Sequence, residues 1–121
     1  MFALTGHHRF FLYRHACDMR KGFDGLSGVV RNELDADSLS GDVFVFVNRS
    51  RTTMKLLVFE SDGYLLYHKR LEAGRFQGFQ GLSDNQTEDA AAKIDYQRLQ
   101  FLIRGVDLHY LKYRKRYKKA I

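Results

Sequence analysis

The sequence of 121 residues contains no proline, no tryptophan and a single cysteine, Cys17. Because proline is absent, the turns must depend on Gly, Asn, Asp and Ser. One cysteine cannot close a disulfide within the chain, so we expect a reducing, cytoplasmic setting. The longest apolar runs, such as residues 43–47, are too short to cross a bilayer, so we expect no membrane partner.

Motifs that mark common enzyme classes are also missing. There is no Gly-x-x-x-x-Gly-Lys nucleotide loop and no Gly-x-Ser-x-Gly nucleophile elbow. The five histidines are scattered without a cysteine pair, so we expect no metal site and no cofactor. Cys17 lies near His15, but a single thiol is more often structural than catalytic, and we predict no catalytic residues. A two-metal nuclease stays open only if folding gathers Asp18, Asp24, Asp42 and Asp62.

Positive charge is abundant, and it is concentrated at the end of the chain. The net charge is +6, and the last ten residues hold six of the 20 Lys and Arg without one acid. The other 14 bases balance the 14 Asp and Glu, so the body is neutral. A neutral body with a basic end is typical of a protein that holds a polyanion, most often nucleic acid. The six tail cations are Lys112, Arg114, Lys115, Arg116, Lys118 and Lys119.

The same tail interleaves its bases with tyrosines, which suits nucleic acid through charge and stacking. The alternative is a frayed terminus whose charge serves solubility. We predict a final helix from Asp107 through the tail. Residues 1–105 would then form a single α+β domain, and residues 106–121 a basic helix or tail.

The hydrophobic pattern predicts an α+β fold: a small antiparallel β-meander packed against an amphipathic helix, with C-terminal helices. An Asp-Gly pair at 62–63 predicts a hairpin turn. Short connections between the later strands favour antiparallel pairing. The predicted strands cover residues 9–14, 43–47, 54–60 and 64–71.

The main helix is predicted over residues 18–34, with Asp18 as its N-cap. Gly22, Gly25 and Gly28 recur every three residues within it, and each costs about 1 kcal/mol of helix propensity relative to alanine. Their spacing indicates a close neighbour, either the sheet or a ligand.

The C-terminal third is predicted to be a loop followed by helices. Residues 77–88 are polar and lack a sustained period, which indicates a loop. Residues 90–92 are three alanines and predict a short helical turn. Asp95 is positioned to cap a helix over 96–104, and Gly105 stands where that helix would end.

Basic residues that are separate in sequence should meet at one edge of the meander. In an antiparallel arrangement the end of one strand lies beside the start of the next. Such a cluster could bind phosphate oxygens, or it could be a solvated loop paired with acids such as Asp42 and Glu72. The cations concerned are Arg49, Arg51, Lys55, Lys69, Arg70 and Arg75.

A second basic pair, Arg20-Lys21, opens the predicted main helix. The free amides of a helix N-terminus could join these side chains in an anion site. The alternative is that Arg20 and Lys21 are two ordinary surface residues.

Four ordered blocks resemble a known family. The signature Asp-Met-Arg-Lys-Gly-Phe-Asp-Gly-Leu at 18–26 is similar to that of the small accessory protein of insertion sequence 66 family elements, the TnpB-type product of the second reading frame. The other matching blocks are residues 40–46, residues 55–57 with 62–63, and residues 69–76. The resemblance covers about residues 9 to 76, more than half of the chain. Many members have tryptophans where Val58-Phe59 stand and a Trp-Pro where Gln77-Gly78-Phe79 stand.

The resemblance implies a bacterial mobile-element protein that assists a separate, larger transposase, and it lends no catalytic residues. We therefore expect a non-catalytic DNA-binding accessory factor, with DNA and the transposase of the same element as partners. The alternative is a protein–protein adaptor that docks onto the transposase without touching DNA. A third possibility is a nuclease that uses the aspartates. The sequence indicates no oligomeric state.

Overall fold

The computed structural model describes residues 4–77, 90–104, 106–107 and 112–113. A five-stranded mixed sheet has one helix packed on each face, which confirms the predicted α+β class. In chain order the elements of this body are β1 (Phe10–Tyr13), α1 (Phe23–Asn32), β2 (Val43–Val47), β3 (Thr53–Glu60), β4 (Gly63–Arg70), β5 (Ala91–Ile94) and α2 (Tyr96–Arg104).

The strand order is β4-β3-β2-β1-β5. The pairs β2–β3 and β3–β4 are antiparallel, so the predicted meander is confirmed. β1 runs parallel to β2, because α1 carries the chain back across the sheet between them. β5 adds an antiparallel strand beyond β1.

The central strands are buried on both faces. In β2 every residue is buried: Val43, Val45 and Val47 belong to the core cluster that includes α2, whereas Phe44 and Phe46 belong to the cluster that includes α1. A strand covered on both sides has no polar face, which explains the continuous apolar run in its sequence.

The main helix begins later than the sequence predicts. α1 starts at Phe23, its N-cap is Gly22, and no side chain caps it. Asp18 is therefore not the N-cap, and that prediction is wrong. Its carboxylate instead accepts the Arg20 backbone amide at 2.9 Å and the Arg20 guanidinium at 2.7 Å. Residues 18–22 thus form a separate segment before the helix, held by its own local bonds.

The glycines of this region do not pack against the sheet. A Cβ added at Gly22 or Gly28 would meet nothing within 4 Å, and one at Gly25 would meet the Lys21 Cβ at 3.0 Å. Of the two alternatives for these glycines, close packing on the sheet is therefore wrong.

A buried lysine of β3 fixes the 18–22 segment on the sheet. Lys55 is 6% exposed. Its Nζ donates to the carbonyl of Met19 at 2.7 Å and to that of Lys21 at 2.8 Å. Just upstream, the Cys17 amide donates to the Val47 carbonyl at 2.9 Å. The segment is therefore docked across β2 and β3 by backbone groups, whatever its side chains do.

The C-terminal part departs from the sequence-based prediction. Residues 91–94 form β5 and not a helical turn, because β1 offers an open edge with which Ala91 and Ala92 pair. The α2 cap is confirmed: the Arg98 amide donates to the Asp95 carboxylate at 2.7 Å. Ile94 and Leu99, on either side of the cap, both lie in the core.

The predicted final helix is wrong where the structure describes it. Val106–Asp107 and Lys112–Tyr113 pair as two short antiparallel strands, β6 and β7. Gly105, residues 78–89 of the predicted loop and residues 114–121 of the tail lie outside the described residues. The division at residue 105 stays a prediction.

We predict that Lys55→Met lowers the free energy of unfolding by about 2 kcal/mol, because two buried carbonyls lose their donor. The loss is moderate because the substitution also removes a buried charge. Urea denaturation measures the change. Amide exchange should accelerate in residues 18–22.

The matched control is Lys69→Met, the same chemical change on the neighbouring strand at an exposed position. It should alter stability by less than about 0.5 kcal/mol. Equal effects of the two substitutions would show that Lys55 does not anchor the segment.

Candidate nucleic-acid interface

Backbone pairing brings two basic segments together at one end of the sheet. Thr53 pairs with Arg70. Beyond the strands, the Leu71 amide donates to the Thr52 carbonyl at 2.8 Å, and the Phe76 amide donates to the Arg51 carbonyl at 2.7 Å. The segments 48–54 and 68–77 therefore run side by side. We call their five solvent-facing cations the basic end: Arg49, Arg51, Lys69, Arg70 and Arg75.

An asparagine shapes the turn that carries the first two of these cations. The Asn48 Oδ1 accepts the Thr52 amide at 2.9 Å and the Thr53 amide at 3.1 Å, and the Arg51 amide donates to the Asn48 carbonyl at 3.0 Å. Arg51 has a φ of 60°, which lets the chain reverse within this short turn. Sequence analysis did not assign this role to Asn48. The signal for it was an Asn that directly follows a strand and opens a polar run.

The basic end is strongly positive, and its charges lie on both faces of the sheet. Arg49, Lys69, Arg70 and Arg75 are exposed and Arg51 is half-buried. Lys69 pairs with Met54 of the α2-side core, and Arg70 pairs with Thr53 on the opposite face. A ligand would therefore have to wrap around the end of the sheet, because no single face presents all five cations.

Glu72 is the one acidic residue within segments 48–54 and 68–77. It contacts Arg70, with Arg70 Nη2 and Glu72 Oε1 2.9 Å apart and side chains 73% and 58% exposed. Such an exposed pair is worth little in water, so a phosphate could replace the carboxylate. Glu60 and Asp62 lie at the opposite end of the hairpin, so the sheet is polarised along its strands.

Lys55, which was expected in the cluster, lies elsewhere. Its ammonium is buried and bonded to two carbonyls, as described above, so its donors are committed within the protein. The β3–β4 register does place Lys55 beside His68, but its side chain turns toward the 18–22 segment. Lys55 is therefore not one of the cations of the basic end.

The Arg20-Lys21 pair lies on the α1 side of the sheet. Arg20 is 91% exposed and its guanidinium lies 2.7 Å from Asp18. The hydrogen bond from the Arg20 side chain is the main cause that lowers the pKa of Asp18 to about 2, so this carboxylate is ionised at neutral pH. Lys21 is exposed, and its carbonyl is held by Lys55. Arg70 also points to this side.

The tail cations contribute little to the described geometry. Lys112 lies in β7, and its backbone alone is described. Arg114, Lys115, Arg116, Lys118 and Lys119 lie outside the described residues. Their role in nucleic-acid binding stays a prediction.

The candidate catalytic thiol is buried, and two of the four candidate aspartates are bonded to arginines. Cys17 is buried, and burial is the main cause that raises the pKa of its thiol to about 11, so the nucleophilic thiolate is scarce at neutral pH. Asp42 pairs with Arg9 at 2.8 Å at the start of β2. Asp18 pairs with Arg20. Across the described residues, no group of three His, Cys, Asp or Glu side chains could hold a metal ion.

No helix in the described part of the chain has the length and apolar character needed to cross a bilayer.

Comparison with known proteins gives a family match over most of the chain. The model of the family described as IS66 Orf2 like protein matches residues 8–113. Two relatives come from Sinorhizobium fredii (strain NBRC 101917 / NGR234) and are described as uncharacterized proteins. The first, y4hO, is 34% identical over 90 residues, which covers 74% of this chain and 73% of the relative. The second, y4jC, is 29% identical over 90 residues, which covers 74% and 72%.

No solved structure matches the chain. The family match extends from before β1 to the end of β7, so it includes the 18–22 segment and the whole basic end. The chain therefore belongs to the IS66 Orf2-like family, the accessory proteins of IS66 insertion sequences, and its role lies in assisting transposition.

Proposed function

We propose that this protein is a non-catalytic accessory factor that binds DNA during transposition, through the phosphate backbone. The basic end would contact phosphates directly, and the C-terminal tail would add affinity that does not depend on sequence. The transposase of the same element would supply the chemistry.

The observation that carries this proposal is the concentration of charge at one end of the sheet. Segments 48–54 and 68–77 bring five cations together there and contain one acid, Glu72, while the hairpin acids lie at the far end. The bonds that hold the two segments together at this end join backbone amides to backbone carbonyls and do not use the guanidinium groups. Arg guanidinium groups suit phosphate because they donate in a planar fork.

Charge on two faces of the sheet favours backbone contact over base recognition. A strand or helix that enters a groove presents one face to the base edges. Here the cations lie on both faces at the end of the sheet, an arrangement better suited to phosphate contacts than to insertion into a groove. We therefore propose binding with little sequence preference and with a steep dependence on salt.

We predict that the double substitution Arg49→Gln with Arg75→Gln weakens binding to a short DNA duplex. Two lost phosphate contacts should reduce the slope of log K against log salt by about 2. Fluorescence anisotropy at several salt concentrations measures both quantities.

The control for this experiment removes two charges elsewhere. Arg31 bonds Ser38 near the hairpin, and Lys93 lies on β5 at the other edge of the sheet. Arg31→Gln with Lys93→Gln gives the same net charge and should leave the slope unchanged. No binding by the native protein at low salt would rule out the proposed function.

The carboxylate at the basic end should act as a partial mask. We predict that Glu72→Gln raises DNA affinity, because Arg70 then loses the carboxylate with which a phosphate must compete. Asp37→Asn adds the same unit of charge in an exposed loop and should raise affinity less. Equal gains from both substitutions would indicate a response to net charge alone.

A second candidate function is a protein–protein adaptor that docks onto the transposase. Phe23 favours it: this aromatic side chain is 48% exposed at the start of α1, immediately after the docked 18–22 segment. An exposed aromatic on a rigid support is a frequent anchor at protein interfaces.

We predict for this candidate that Phe23→Ser abolishes capture of the transposase of the same element in a pull-down, with DNA removed by nuclease. Leu39→Ser, at a residue 56% exposed in a loop, is the control and should leave capture unchanged. Removal of residues 112–121 with undiminished transposition would favour the adaptor over the DNA-binding factor.

A further inference from the structure

The outer strand β4 is long and paired on one side. β4 has eight residues, and β3 is its one strand neighbour in the described part of the chain. A sheet edge of this length presents backbone donors and acceptors that can pair with another strand. Natural proteins usually protect such edges with charges or bulges in the middle of the strand.

The charges of β4 are arranged in the opposite way. Residues 64–67, at its centre, are Tyr-Leu-Leu-Tyr and carry no charge. Acids stand at one end, with Asp62 in the turn and Glu60 before it, and bases stand at the other, with Lys69 and Arg70. The uncharged centre permits pairing with a second strand, and the charges at the two ends determine the direction in which that strand can run.

From this arrangement we propose that β4 pairs antiparallel with β4 of a second copy of this chain, so that the protein is a dimer with one continuous ten-stranded sheet. In an antiparallel pair of identical strands, the acidic end of each copy meets the basic end of the other. A parallel pair would place like charges side by side, which is unfavourable. The contact is symmetric, as twofold dimers require.

A register that centres on Leu66 brings the oppositely charged ends of the two strands together. It places Asp62 of each copy opposite Arg70 of the other, and Leu65 opposite Tyr67. Tyr67 is 37% exposed, and an aromatic side chain opposite an aliphatic one is a favourable cross-strand pair.

A cavity lies beside this strand, on the face of the sheet that also carries Leu65 and Tyr67. It has a volume of about 240 Å³ and lies on the α2 side, between β3, β4 and α2. Its lining includes Leu4, Leu56, Tyr67 and Ile103. In the proposed dimer the two cavities lie on the same face of the joined sheet, on either side of the new strand pair.

The test is the association state of the full chain in the absence of DNA, so it does not depend on the proposed function. Sedimentation equilibrium of the native protein should give a dimer with a dissociation constant in the micromolar range or below. Asp62→Lys sets two like charges against each other, and so does Arg70→Glu. Each substitution alone should raise the dissociation constant about tenfold or more.

The decisive sample is an equal mixture of the two variants. In a mixed pair both contacts become opposite-charge contacts, so the mixture should dimerise like the native protein although each variant alone does not. Asp37→Lys, the same charge reversal in an exposed loop, is the control and should leave the native dimer intact. Circular dichroism melting checks that each variant is folded.

Two results would overturn the proposal. One is a native protein that sediments as a monomer throughout the micromolar range. The other is a dimer that neither Asp62→Lys nor Arg70→Glu weakens, which would place the contact on another surface.

Discussion

The register of β3 between β2 and β4 is the constraint on which the other features depend. A shift of one residue would turn every side chain of β3 to the opposite face. Lys55 would then enter the α2-side core, and Met54 would face the 18–22 segment. The same shift would separate Thr53 from Arg70, so the two segments of the basic end would no longer be aligned. Burial of both faces of β2 and β3 makes such a shift costly, so the register is strongly specified.

This register explains why one lysine of the hairpin is structural and its neighbours are not. Lys55 occupies a central strand under the segment that precedes α1, where two carbonyls replace its water shell. Lys69 and Arg70 occupy an edge strand, where solvent reaches them. Residue type alone does not distinguish these positions. The number of neighbours that each strand has in the sheet does.

Sequence patterns predicted the elements with strong periodicity or strong turn chemistry. The meander and the Asp95 cap followed from local signals, and so did the convergence of segments 48–54 and 68–77. The failures have a common cause, which is tertiary context. Residues 91–94 have helical propensity but form a strand because they pair with the edge of β1. Asp18 is bonded to Arg20 and does not cap α1. The burial of Lys55 was not predictable, because it depends on a segment 34 to 36 residues away in sequence.

The two proposals use the same hairpin: DNA would contact its basic end, and a second copy would pair along the edge of β4. Together they imply a geometry. In an antiparallel β4 pair the basic ends of the two copies lie at opposite ends of the joined strands. An eight-residue strand spans about 27 Å, so that distance separates the two basic ends. They would also face away from each other. Arg70 would be shared between phosphate and the partner's acid, whereas Arg49, Arg51 and Arg75 lie outside the paired part of β4. A dimer of this kind would therefore present two basic ends to DNA at a fixed distance, which a monomer with the same cations could not do.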